Sequence, residues 1–363
     1  MYKIQTPTPV RLQEYYDALA KRVVDLIDEY LNGKVLEYKI PKSIKVLVKV
    51  QPGGDTEKAL TGLKAPEVLR TLLIGQPYEI PPLIRYVRAK VTSEKCSEMK
   101  MSKADYDDNN YPIFVKDGDT YVDHFYTIAY NIFVDGLFED TDFKLNFTKK
   151  AELKFCPYCG MGEVHVAEAV HGVTKPPIDH FLPKSKYPYL AVNFFNLIPS
   201  CEKCNDFAHK SSNNPLATDL ITYYLMQPYD FDTSQVTYGL TKNLGNGFSA
   251  IDYDLSPQFK KGCYYKGYEE WLKLLSRYKG YYADDLQSML DRMKERAPAL
   301  RDYLARGYGM PVEDIDSAAF SIIGFHINED DAWRHERYKL KVDMYNSLKG
   351  IFEGAIAASY DLE

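Results

Sequence analysis

The sequence predicts an α+β protein in which mainly helical flanks enclose a short β-containing window stapled by cysteines. Three patterns carry that expectation. Apolar residues recur from Val10 to Leu31 at Leu12, Tyr15, Leu19, Val23, Leu26, Ile27 and Tyr30, which is one face of a 3.6-residue period. The run Ile44-Lys45-Val46-Leu47-Val48-Lys49-Val50 reads as a strand and breaks at Pro52-Gly53-Gly54-Asp55. Two Cys-x-x-Cys pairs, Cys156/Cys159 and Cys201/Cys204, bracket the window itself.

Three regions follow from these marks. In residues 1–150 the first helix stops near Gly33, and a second runs from Pro66 to Ile74 with proline in its first turn. Asp105–Asn110 is acidic and Asn-rich, as a surface loop would be, and Val122–Phe138 is apolar enough for a buried helix. In residues 151–215, Glu163–Val170 and Thr174–Phe181 read as β segments turning at His171-Gly172, and Asp206–Lys210 as the start of a helix. Asn213-Asn214-Pro215 marks the exit into residues 216–363. There Val236–Leu240 and Phe248–Tyr253 flank the turn signal Asn243-Leu244-Gly245-Asn246-Gly247. Helical stretches follow at Tyr268–Tyr278, Ala283–Arg296 and Asp330–Leu348. Both flanks read as scaffold or as docking surface for a partner.

Composition narrows the function classes. With 45% hydrophobic and 26% charged residues the chain falls among soluble globular proteins. No basic, apolar leader and no run of 18 apolar residues is present, so neither secretion nor membrane spanning is expected. Four of six cysteines are paired at ligand spacing and two stand alone, the usage of a reducing cytoplasm rather than a disulfide framework. A net charge of −6 is unfavourable for holding a polyphosphate. From Lys149 to Lys210, however, eight lysines face six acids, so the local field is mildly attractive. The 31 tyrosines are better explained by core packing than by stacking on bases.

Four thiolates in two turns can close a tetrahedral zinc site, and a site with four protein ligands is structural rather than catalytic. The 41 residues between Cys159 and Cys201 make this two knuckles joined by a folded insert, not one compact finger. Cys96 and Cys263 lack partners at that spacing and read as core thiols. Inside the insert lie Asp179 and His180. A neutral imidazole can take a proton from water near neutral pH, which makes His180 the candidate general base. A carboxylate suits a hard cation, which makes Asp179 a metal ligand. Asn205 and His209, four residues apart, would share a helix face.

Asp179-His180 with Pro183, Asn196 five residues before Cys201, and Asn205 directly after Cys204 resemble the HNH endonuclease family in its zinc-stapled form. The resemblance covers about 55 of 363 residues. It implies a ββα-metal core that grips one catalytic Mg²⁺ or Mn²⁺ beside the structural Zn²⁺, and cleavage of nucleic acid, DNA foremost. By the same resemblance Asn205 is the second ligand of the catalytic cation, and Asn196 braces the loop that carries the base. His209 is a third ligand, a neighbour of the phosphate or a solvated residue. The family often places Lys or His three residues beyond the last motif position; here Ala208 stands there and His209-Lys210 follow, with Lys210 free to reach a phosphate. The run Leu182–Pro188 is similar to HNH subunits of anti-phage modules such as Septu, in which the nuclease is paired with an ATPase. An RNA-cleaving nuclease and an inactive zinc-stapled binding module are the alternatives.

Overall fold

The computed structural model describes residues 1–40, 44–91, 121–122, 124–169, 172–243, 249–260, 264–305, 323–325, 327 and 329–360. The expected loop at Asp105–Asn110, together with Cys96, Cys263, His171 and His326, lies outside them.

Helix α1 (Pro9–Leu31) begins where Thr8 Oγ1 accepts from the Arg11 amide at 3.3 Å and Pro9 presets the first turn. Its stripe Leu19, Val23, Ile27 and Tyr30 is buried against α2 (Asp55–Leu63), α3 (Pro66–Ile74) and the Asn131–Phe138 segment. Helix α4 (Ile80–Lys90) packs on α2 and α3. The expected buried helix over Val122–Phe138 is α5 (Phe125–Tyr130), which widens into a π-helix over Asn131–Phe138. The strand expected from Ile44 is β2 (Ile44–Val48), paired antiparallel with β1 (Leu36–Ile40) and parallel with β3 (Tyr121–Val122). Helix α6 (Thr141–Ala151) starts where Asp140 Oδ1 accepts from the amides of Asp142 and Phe143 at 2.9 and 3.2 Å.

The central window departs from its expected strands. Glu163–Val170 and Thr174–Phe181 do not form one hairpin. A short hairpin pairs β4 (Ala167–Ala169) with β5 (Gly172–Thr174), and the chain then changes partner. Pro176 and Pro177 cannot donate to a ladder, so pairing breaks there. It resumes as β6 (Ile178–His180), antiparallel to β7 (Leu197–Pro199), with Asp179 opposite Ile198 and His180 opposite Leu197. Helix α7 (Glu202–Asn205) follows β7 at once. Asp206–Lys210 is not helical, contrary to expectation: Asp206 is extended, and its Oδ1 accepts from the Ala208 amide at 2.7 Å. That side-chain turn competes successfully with the helical ladder.

In the last region β8 (Val236–Lys242) pairs with β9 (Tyr253–Phe259), a strand that begins later than Phe248; residues 244–248 of the connection lie outside the described set. A π-helix (Lys266–Trp271), α8 (Leu274–Lys279), α9 (Tyr282–Ala305), a 3-10 helix (Glu329–Arg334) and α10 (Tyr338–Tyr360) follow among the described residues. Helix α10 docks on β8, where Asp343 Oδ2 accepts from the Tyr238 amide at 2.9 Å and Lys339 pairs with Asp343 Oδ1 at 2.6 Å. One apolar cluster runs from Met1 to Leu348 through all three regions. Eight tyrosines (2, 30, 158, 189, 238, 253, 268 and 278) are among the largest fully buried side chains, so much of the tyrosine content serves packing. The architecture is mixed α and β, with helix predominant and small hairpins between.

Candidate metal centre and the Asp-His pair

The first knuckle is a tight turn. The Cys156 amide donates to the Gly162 carbonyl at 2.7 Å, and the Gly160 amide to the Cys156 carbonyl at 2.6 Å. Gly160 sits at φ +66°, a left-handed conformation that glycine adopts without penalty. A Cβ at Gly162 would stand 2.4 Å from Cys201 Cβ and 2.9 Å from its Sγ, so the two knuckles meet only because that side chain is absent. The second pair opens α7, with the Cys204 and Asn205 amides donating to the Cys201 carbonyl at 3.0 and 3.1 Å.

All four sulfurs lie within 4.8 Å of one another and all four residues are buried. Cys159 and Cys201 Sγ are 3.8 Å apart. A tetrahedron with Zn–S bonds of about 2.3 Å has edges of about 3.8 Å, so the cluster fits a metal ion such as zinc. Arg277 Nη1 donates to Cys204 Sγ at 3.3 Å, and Tyr278 Oη to the Cys159 carbonyl at 2.7 Å. Hydrogen bonds from the other three thiols, with the Arg277 charge, favour the Cys159 thiolate. These outer partners come from α8, more than 70 residues on, and no local pattern announces them.

His180 closes β6 and is buried. Its Nε2 is 3.1 Å from the Ala191 carbonyl. A carbonyl can only accept, so Nε2 carries the hydrogen and Nδ1 is the basic nitrogen. The Phe138 ring, from the end of the π-helix, lies edge-on with centroids 4.3 Å apart. Lys144 and Lys184 flank that phenylalanine at 4.7 and 5.1 Å. Burial first, then the Lys184 charge, lowers the His180 pKa to about 3, so the ring is neutral at neutral pH. Asn196 clamps the loop between β6 and β7. Its Oδ1 accepts from the Leu182 amide at 2.7 Å, and its Nδ2 donates to the Leu182 and Leu190 carbonyls at 3.1 and 3.0 Å. Asn193, which sequence spacing passes over, ties that loop to α3. Its Nδ2 donates to the carbonyls of Thr71, Leu72 and Gly75 at 3.1–3.3 Å.

Asp179 is also buried, and both of its oxygens are engaged. Lys210 Nζ is 3.1 Å from Oδ1 and 2.9 Å from Oδ2, and Tyr158 Oη donates to Oδ2 at 2.6 Å. Lys210 is fully buried and also donates to the His180 carbonyl at 2.9 Å. The expectation that Lys210 reaches outward to a phosphate is therefore corrected: the turn at Asp206 folds it inward. Burial raises the Asp179 pKa, opposed by Lys210 and Tyr158. Asn205 and His209 do not share a helix face, because α7 ends at Asn205. Asn205 is half-buried. His209 Nδ1 is buried with no hydrogen-bond partner among the described residues, and its strongest charged neighbours are Arg277, Asp206 and Lys203. Among the described residues, the four cysteines form the one group of three or more His, Cys, Asp or Glu ligand atoms.

Two buried neutral histidines set an acid limit on stability. His124 caps α5, its Nδ1 accepting from the Thr127 amide at 3.2 Å, and burial lowers its pKa to about 4. Both folded values lie below the ordinary 6.5 of an unfolded chain, so the unfolded state binds the extra protons. The contribution is full above about pH 6.5 and falls away toward about pH 4 for His124 and about pH 3 for His180. Urea denaturation should therefore show a loss on the order of 2 kcal/mol per histidine between pH 7 and pH 5. His124→Gln should remove about half of that loss; an undiminished loss would assign it to the thiolates instead.

No family model matches the chain, and no solved structure matches it. A curated relative matches over a short stretch: Septu protein PtuB of Bacillus thuringiensis is 49% identical over 41 residues, 11% of this chain and 16% of that protein. The chain thus matches about a sixth of that relative's length. Among the described residues, no helix is long and apolar enough to cross a membrane.

Proposed function

We propose that this chain is a zinc-stapled, divalent-cation-dependent HNH-type endonuclease that hydrolyses DNA in anti-phage defence. The observation that carries the reading is the course of the chain from β6 to α7. A strand ending in Asp179-His180 lies antiparallel to β7, which leads directly into the second cysteine pair and Asn205. Asn196 fixes the intervening loop at both ends, as a brace for the base requires.

In this reading the zinc knuckles are scaffold, and His180 does the proton work. The Ala191 carbonyl fixes the tautomer, so Nδ1 accepts a proton from the attacking water as its oxygen bonds to phosphorus. The bond from phosphorus to the 3′-oxygen breaks, and that oxygen leaves as a 3′-hydroxyl, taking a proton from solvent. A pKa of about 3 keeps the ring unprotonated at physiological pH and also makes it a weaker proton acceptor than a free imidazole. Asp179, Asn205 and His209 are the oxygen and nitrogen donors for a hard cation, which when bound would neutralise charge on the phosphoryl oxygens. Their chemistry suits the ion, but Asp179 is engaged by Lys210 in the fold described above. Lys144 and Lys184 lie against Phe138 beside His180, and both pair with Glu139, so a phosphate there would compete with that carboxylate for them.

The short likeness to a Septu protein supports the defence role. A net charge of −6 fits a subunit whose hold on nucleic acid is shared with a partner, and an ATPase is the candidate that the family resemblance names. Cysteines at metal-ligand spacing, with no disulfide pattern in the sequence, support a reducing compartment such as the cytoplasm for that work. The test is incubation of zinc-loaded protein with plasmid DNA and with total RNA, with and without Mg²⁺ or Mn²⁺. Cation-dependent nicking or linearisation of the plasmid is expected. Cleavage confined to RNA would change the substrate, and binding without cleavage of either would leave a binding module.

A further inference from the structure

We propose that Lys210 is a built-in counter-ion that holds Asp179 in the resting protein, so that a divalent cation gains this carboxylate only when Lys210 yields it. This rests on the nuclease reading and adds to it a control on cation binding. Lys210 is fully buried, its ammonium reaches both Asp179 oxygens at 2.9 and 3.1 Å, and a third bond runs to the His180 carbonyl at 2.9 Å. Three acceptors match the three donors of an ammonium, so the group is satisfied where it lies. Tyr158 takes up the remaining direction on Oδ2. The backbone is set for the same purpose: the Lys210 amide donates to the Cys204 carbonyl at 3.3 Å, and the Asn213 amide to the Lys210 carbonyl at 2.9 Å. The lysine thus hangs from the zinc knuckle and reaches under β6.

A cation on Asp179 and an ammonium on both oxygens of Asp179 exclude each other by charge and by space. Removing one member of a buried pair strands the other, which is the costly half of the exchange. Lys210 is therefore a positioning residue: it fixes Asp179 and the His180 backbone, and it competes with metal.

The test is Mn²⁺ binding to the full-length, zinc-loaded chain, measured by calorimetry and by the loss of free-Mn²⁺ paramagnetic signal, without nucleic acid. Wild type should bind weakly at this site. Lys210→Gln should bind on the order of a hundredfold more tightly, Lys210→Arg should stay near wild type, and adding Asp179→Asn to Lys210→Gln should erase the gain. A purely structural lysine would move none of these affinities. Equal affinity in wild type and Lys210→Gln overturns the proposal, and so does tight Mn²⁺ binding by the zinc-loaded wild type, a result that needs no variant to fold. Plasmid cleavage is scored in parallel. Cleavage with no gain in Lys210→Gln sinks the counter-ion and leaves the nuclease; a gain with no cleavage by any form sinks the nuclease and leaves the counter-ion.

Discussion

Replacing Cys156 by serine should yield a protein without zinc and without a folded central window. A serine hydroxyl stays protonated where a thiolate would bind, so the site falls to three sulfurs. Structural zinc contributes about 10–16 kcal/mol to the folding of small zinc domains, as much as the whole stability of a typical domain. The consequences spread because the knuckle is a junction. Gly162 touches Cys201, Arg277 touches Cys204, and Tyr278 holds the Cys159 carbonyl. Metal analysis should find about one zinc per chain in the wild type and in Cys263→Ser, and only a trace in Cys156→Ser. Circular dichroism should show a broad, early melt for the zinc-free variant. Equal zinc in both variants would defeat the knuckle assignment.

His180→Ala should cut DNA slower by about 10²–10⁴, the usual worth of a general base, while zinc content and DNA binding persist. Removing the ring also empties the space beside Phe138, so His180→Gln serves as a fuller side chain that still lacks a base of suitable strength. Both variants should fail alike at every pH and every Mn²⁺ concentration. Residual cutting above about one per cent of the wild-type rate would take the proton-acceptor role from His180.

The parts of this molecule legible in its sequence are those that local chemistry decides. Cysteines at a spacing of two announce a metal cluster, and the geometry assembles them. Helix α3 begins at its proline and ends before Gly75, within the expected limits. A bracing role for Asn196 came from the family resemblance and not from local chemistry; its side chain bonds the Leu182 amide and the Leu182 and Leu190 carbonyls. What stayed hidden depends on partners far along the chain. The apolar run at Leu197–Pro199 is short and ends in proline, so nothing local marks it as the mate of Ile178–His180. Asn205 and His209 stand at helical spacing, yet the Asp206 carboxylate between them captures the Ala208 amide and the helix ends at Asn205. Lys210 read as a surface cation because lysine is rarely buried; only the approach of Asp179, 31 residues earlier, makes burial tolerable.

Asn193 and Tyr15 have a practical consequence for anyone wishing to shorten this protein. Asn193 grips three carbonyls at the end of α3, and Tyr15 Oη of α1 donates to the Val192 carbonyl at 2.8 Å. The loop beside His180 is therefore moored to the first 75 residues as well as to its own strands. A minimal fragment cut to residues 151–215 would carry every motif side chain and still lack the mooring that sets them in place.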